Sequence, residues 1–190
     1  MNPGQPTPGP SPFSFGTKIL GAGAVLLFLF IGAGFALPGT WEARGTRVIA
    51  APPETLFGFL DGPEGWRRWT TWPDSVEAAG PARGPGARMS WENLDVGNGV
   101  FEIVSADRPT RVEYRVTVQD SSLHTAGTVR LEPVERGTRV HWEETGDFGW
   151  NPLMGYWALL MDGVQSREMD RNLERLEAAA TGREPEPAAR

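Results

Sequence analysis

The stretch RVEYRVTVQ, residues 111–119, alternates without a break. Val112, Tyr114, Val116 and Val118 fall on one phase, and Arg111, Glu113, Arg115 and Thr117 on the other. Successive strand side chains point to opposite faces, so this pattern predicts a strand with one covered face. The same period runs outward on both sides. In ARMSWEN (87–93) Met89 and Trp91 alternate with Ser90 and Glu92. In SLHTAGTVRLE (122–132) the apolar phase holds Leu123, Val129 and Leu131, with Thr125 and Gly127 between. In TRVHWEE (138–144) it holds Val140 and Trp142. Turn signals at 95–99, 107–109, 119–122 and 135–137 separate these runs. Consecutive half-buried strands joined by short turns predict an antiparallel meander that needs a cover on one face.

The flanks supply candidates for that cover. TRVIA (46–50) reads as a short strand. Pro52 and Pro53 then open a helix through PPETLFGFLDG, with Leu56, Phe57 and Leu60 on one face and Gly62 as its stop. After Asn151 and Pro152, a long amphipathic helix is predicted to end at Thr181-Gly182. Leu153, Trp157, Leu160, Met161, Val164, Met169, Leu173 and Leu176 are expected near one stripe. Together these elements predict an α+β fold in which a curved antiparallel sheet grips a long C-terminal helix.

Composition narrows the function. Residues 1–37 hold Lys18 and no acid, so all 24 carboxylates lie beyond, against 17 arginines, about −7 for that part. An acidic domain repels phosphate backbones, which argues against nucleic-acid partners. Without cysteine, thiolate metal sites, disulfides and a cysteine nucleophile are excluded. His124 and His141 sit on the polar phase of separate strands and read as surface histidines, so no metal or other cofactor is expected. Ser90, Ser121, Ser122 and Ser166 have no nucleophile elbow around them. The glycines of residues 80–88 make a turn and no phosphate loop.

Residues 1–16 are rich in Pro, Gly, Ser and Thr and read as a disordered tail, as do residues 182–190. Ile19 to Leu37 are 19 residues without a charged or strongly polar side chain. As a helix they span about 28 Å, the thickness of a bilayer core, with Lys18 and Trp41 at the two interfaces. A transmembrane anchor over 17–40 is expected. The rivals are a buried soluble helix and a signal peptide cleaved after Gly34-Phe35-Ala36. The short amino-terminal tail points to an exported carboxy-terminal domain, which is expected to occupy 41–181.

From about Thr46 to Ala180 the chain resembles the START-like superfamily (SRPBCC), in particular its bacterial polyketide cyclase/dehydrase and lipid transport branch. The resemblance is carried by IAAPPETLF (49–57), WxxWxxW (66–72), GARMSW (86–91), GTRVHW (137–142) and GDFG (146–149), followed by the final helix. Some members are similar also in an N-terminal membrane helix ending Leu-Pro, as Leu37-Pro38 does here. The resemblance implies a helix-grip fold with a deep apolar cavity for lipids, sterols or polyketides. It does not imply a reaction.

Candidate site residues follow from phase. Trp91, Tyr114, Trp142, Trp157 and Met161 are expected to line a common space, with Arg115 and His141 outside it. Counting by twos from Val140 and Trp142 puts Glu144 inward and Glu143 in solvent. An inward carboxylate is either a proton acceptor or anchor for a ligand hydroxyl, or it lies at the wet end of the strand or pairs with an arginine. A buried Tyr114 needs a hydrogen-bond partner. Trp66 and Trp69 share a face if their segment is helical; the three tryptophans are expected to pack as a cap on the grip, with a ligand wall as a secondary role for one or two of them and contact with the bilayer interface as the alternative for Trp72. The expected function is a membrane-anchored binder or carrier of a lipid or apolar small molecule. The alternatives are a cyclase or dehydrase using Glu144 or Tyr114 as acid/base, and a protein-interaction module with a filled core.

Overall fold

The computed structural model describes residues 13–92, 97–118 and 124–183. Of the tails read from sequence, residues 1–12 and 184–190 lie outside these residues, as do Ser121, Ser122, Leu123 and parts of two turns; residues 13–16, expected in the disordered tail, are instead helical. The chain runs α1 (Phe13–Ala36), β1 (Thr40–Ile49), α2 (Pro53–Phe57), α3 (Pro63–Trp66), β2 (Val76–Ala79), β3 (Arg88–Trp91) and β4 (Gly99–Asp107). It continues through β5 (Arg111–Val118), β6 (His124–Val134), β7 (Gly137–Asp147) and α4 (Pro152–Thr181). The seven strands form one antiparallel sheet in the order β1-β7-β6-β5-β4-β3-β2, so the first strand closes beside the last.

The phases read from sequence are the phases observed. Met89, Trp91, Val112, Tyr114, Val129, Leu131, Val140 and Trp142 are all buried on the inner face, and Arg115 is exposed on the outer one. Two strands escape the sequence reading, β2 and β4. In β4 Phe101 and Ile103 are inward and Val104 is exposed; a register irregularity between Ile103 and Ser105 then breaks the alternation, so that Ala106 takes the inward phase opposite Val112. β1 begins at Thr40, six residues earlier than TRVIA suggests, because Thr40–Ile49 pairs along the whole of β7. The single helix expected over 52–62 is a short α2 followed by turns, then α3 starting at Pro63. Leu56, Phe57 and Leu60 are nevertheless all buried.

α4 starts where its sequence says it should. Asn151 caps it, its side-chain oxygen accepting from Leu153 N–H at 3.0 Å, with Pro152 in the first turn. Gly182, left-handed at φ 69°, ends it. The second half packs on β1, where Gly45 lets the helix approach: a Cβ there would sit 3.1 Å from Leu173 Cδ1 and 3.2 Å from Met169 Cβ. Arg47 of β1 then reaches Glu177 at 2.6 Å and Glu174 at 3.3 Å.

The single apolar stripe expected along α4 is corrected. Met169, Leu173 and Leu176 are buried, but Leu153, Trp157, Leu160 and Val164 are 54, 53, 60 and 50% exposed. The reason is helical phase. At about 100° per residue, 153, 157, 160 and 164 form one stripe, and the five-residue step from Val164 to Met169 rotates the apolar face by about 140°. In the first half the protein-facing positions are the small, buried Gly155 and Ala158.

α1 is one helix long and apolar enough to cross a membrane, over Gly16–Ala36. Its last turns rest against the start of α4.

Candidate functional site

The interior of the grip is aromatic. Trp66 and Trp69 are both buried, with ring centroids 4.6 Å apart, because the backbone from Gly62 to Thr70 turns helically and puts them on one face. Their indole N–H groups donate to Leu60 O (2.6 Å) and Phe59 O (3.2 Å), which ties this segment to the chain after α2. Trp66 meets Phe101 at 5.0 Å, Tyr114 at 4.9 Å and Trp142 at 6.0 Å, and Trp69 meets Trp142 at 5.3 Å. These spacings are those of packed aromatic pairs. The rings therefore close on one another where the resemblance implies a deep cavity.

Trp91 belongs to the same layer through Trp72, at 5.8 Å, and Trp72 is half-buried here against Trp91 and Phe101. Met161 is partly buried against the core. Trp157 does not join: it points away from the space the other candidates share. A cleft of about 510 Å³ lies at the far end of the sheet, lined partly by the outward-facing Glu42, Arg115, His124 and Asp147. A second, of about 260 Å³, sits beside Trp91 and Gly99. Trp41 and Trp91 hold buried indole N–H groups with no partner among the described residues.

Within this apolar interior lies one polar chain. Tyr114 donates to Glu144 Oε1, Trp142 Nε1 donates to the Tyr114 hydroxyl at 2.6 Å, and Gln165 Nε2 of α4 donates to Glu144 Oε2 at 2.7 Å. Glu144 is neither in a wet strand end nor paired with an arginine; it is buried, and its bonded neighbours are a phenol and an amide. The sheet register explains how a tyrosine reaches a carboxylate two strands away. Tyr114 of β5 pairs with Gly127 of β6, which pairs with Glu144 of β7. Gly127 has no side chain, so the phenol lies across it; a Cβ at that position would overlap Tyr114 Cζ. Sequence reading placed Gly127 in the apolar phase, where a glycine signals close approach, but did not connect it to Tyr114 or Glu144. Gln165 carried no sequence signal, since a glutamine on a helix reads as surface.

Burial pushes the Glu144 carboxyl above its ordinary value of 4.5, against the opposing pull of the Tyr114 and Gln165 hydrogen bonds. Burial, then the Glu144 charge, push the Tyr114 phenol well above 10.0. Tyr114 is thus a donor that keeps its proton, and Glu144 is the group that can exchange one. Each carboxylate oxygen accepts one hydrogen bond, Oε1 from Tyr114 and Oε2 from Gln165. The described residues contain no cluster of His, Cys, Asp or Glu that could hold a metal.

Comparison with solved structures places the fold. The chain is similar to MLL2253 from Mesorhizobium loti at 18% identity and a TM-score of 0.58, covering 75% of this chain and 98% of that one. It is similar to TTHA0849 from Thermus thermophilus at 21% identity and a TM-score of 0.58, covering 74% and 97%. It also resembles the di-domain ARO/CYC protein BexL from the BE-7585A biosynthetic pathway, at 20% identity and a TM-score of 0.56, covering 77% of this chain and 52% of that one. Among curated proteins none matches. The profile described as polyketide cyclase/dehydrase and lipid transport matches residues 40–181, three quarters of the sequence and the whole of the sheet with its closing helix. The chain belongs to the polyketide cyclase/dehydrase and lipid transport family.

Proposed function

We propose that this protein is a membrane-anchored binder or carrier of a lipid or other apolar small molecule, taken up between the sheet and α4. The observation that carries the reading is the Glu144–Tyr114–Trp142 chain set in an otherwise aromatic interior. Apolar walls with a few convergent polar groups are the general make-up of small-molecule sites. A ligand hydroxyl would donate to Glu144 beside Gln165, and the unpartnered Trp91 N–H offers a donor to a ligand oxygen. The aromatic rings fill this space in the closed form, so uptake requires movement of α4 or of the Trp66–Trp72 segment. Anchoring is supported by the apolar α1 and by its packing on α4: Gly34 is buried at the crossing, where a Cβ would overlap Pro152 O. Such a fit favours a retained helix over a cleaved signal. Native mass spectrometry of the detergent-extracted full chain is expected to show a co-purified lipid or apolar molecule; a chain at apo mass from membranes of its own host would sink this reading in favour of an interaction module with a filled core.

A second reading is an acid/base enzyme of the cyclase or dehydrase type, favoured by the raised Glu144 carboxyl. Glu144→Gln separates the two. Loss of a general acid/base costs about a hundred-fold to ten-thousand-fold in rate. A binder keeps fluorescent-lipid affinity within about ten-fold, since one charge-assisted hydrogen bond is worth about 1.5–3 kcal/mol and the amide retains part of it. Abolished turnover with intact binding would establish the enzyme.

A further inference from the structure

The outward stripe of α4 changes character along one helix face. Leu153, Trp157, Leu160 and Val164 are at least half exposed, over about 17 Å of helix. Beyond them the same face carries Arg167, Glu168, Arg171 and Glu174. Between Phe148 and Ser166 the one charged residue is Asp162, which turns off the stripe to accept from Glu42 N–H on the edge of β1 at 3.0 Å. An exposed apolar stripe that ends abruptly in charge marks a boundary between two media.

Its position relative to α1 identifies the apolar medium. The start of α4 runs back along the end of α1: Pro152 lies on Gly34, and Tyr156 stacks on Phe30 with centroids 4.4 Å apart and planes 5° apart. The Tyr156 hydroxyl donates to Phe30 O at 2.7 Å, and a Cβ on Gly155 would lie 2.8 Å from Leu37 Cβ. Trp150, 88% exposed, meets Phe35 at 5.3 Å. Phe30 is six residues inside the end of α1, about 9 Å of helix. With α1 across a bilayer and Ala36 at its boundary, the Tyr156 ring therefore lies below the membrane surface.

The geometry points to a second membrane element: residues 150–164, the linker and first half of α4, insert their Trp157 face into the leaflet that holds the end of α1. This rests on the reading of α1 as an anchor. The occupant is lipid, because the stripe continues the lipid-facing surface of α1, carries the Trp and Tyr side chains that favour the interface, and stops where charge begins. The contact places Gln165, one residue past the stripe, and through it Glu144, at the membrane surface. An apolar ligand then passes from the leaflet to the grip without crossing water.

The cysteine-free chain permits a direct test. Single variants Leu27→Cys in α1, Leu153→Cys and Leu160→Cys on the stripe, and Arg136→Cys at the β6–β7 turn are labelled with an environment-sensitive fluorophore. Each full-length protein is reconstituted into phosphatidylcholine–phosphatidylglycerol vesicles carrying nitroxide-labelled lipid. Quenching by lipid at both stripe positions is expected within about 2-fold of that at Leu27→Cys, with none at Arg136→Cys. Lipid quenching at Leu27→Cys alone, with stripe labels open to aqueous iodide, would overturn the second element and leave the anchor standing. Aqueous quenching at all positions would remove the anchor and this inference together. Stripe labels shielded from iodide yet untouched by lipid nitroxide, with crosslinking between copies, would assign the face to a second copy and overturn the proposal.

Discussion

The two halves of α4 belong to one unbroken helix and use the same kinds of residue, yet they solve opposite problems. The second half buries Met169, Leu173 and Leu176 against β1 and turns arginine and glutamate outward, as a soluble amphipathic helix does. The first half presents glycine and alanine to the protein and leucine, tryptophan and valine outward. What differs is what each half faces: a sheet whose Gly45 admits large side chains, or a second helix whose Gly34 demands small ones. The junction between them is Gln165, held to Glu144. Apolar content alone says how much of a helix is covered, and not by what.

The largest test of this contrast is Leu173→Ala. It empties a fully packed position and is expected to cost about 2–5 kcal/mol in chemical denaturation of the detergent-solubilised protein. A cost near zero would mean that the second half is not the part that closes the grip. Gly127→Ala comes next, at about 1–3 kcal/mol, because the added methyl drives the Tyr114 ring off the sheet. It should also break the Tyr114–Glu144 hydrogen bond and change the environment of Trp142, visible as a shift in tryptophan emission.

Smaller effects concern the junction. Gln165→Ala removes a donor from Glu144 Oε2 and should cost about 1 kcal/mol, while raising the Glu144 carboxyl further. The pH dependence has a definite sign. Glu144 in the folded chain holds its proton more tightly than at its ordinary value of 4.5. The folded state therefore binds more protons than the unfolded one over that range. The contribution of neutral Glu144 is fully present below 4.5 and is lost as pH rises through the folded value. Glu144→Gln should flatten this decline in denaturation midpoints measured on the alkaline side of 4.5; an unchanged slope would assign the dependence to another group. Least of all, Leu160→Ala should move stability by no more than about 0.5 kcal/mol in detergent. A penalty equal to that of Leu173→Ala would erase the contrast between the halves.

Much of the sheet was legible because strand phase is a local property. Once Tyr114 and Trp142 are placed on the apolar phase, their inward direction follows from chain geometry alone, and Glu144 follows from Trp142 by the same count. β4 was not legible, since an irregularity at Val104 breaks the alternation that period-two reading depends on. Trp157 was misjudged for a related reason. Leu153 to Val164 and Met169 to Leu176 each have helical spacing, but the step between them carries the second set around to another side of the helix.

The sequence by itself determined the alternating strands, the apolar run of α1, the caps of α4 and the inward turn of Glu144, all of which depend on neighbours within a few residues. Only the tertiary structure decided that Tyr114, Gly127 and Glu144 stand in one row across three strands, because pairing register joins positions far apart in the chain. It likewise decided which side of α4 meets protein. That rotation is set by where Gly34, Gly155 and Gly45 let backbones approach, and each of those glycines acts on a residue that the sequence does not place beside it.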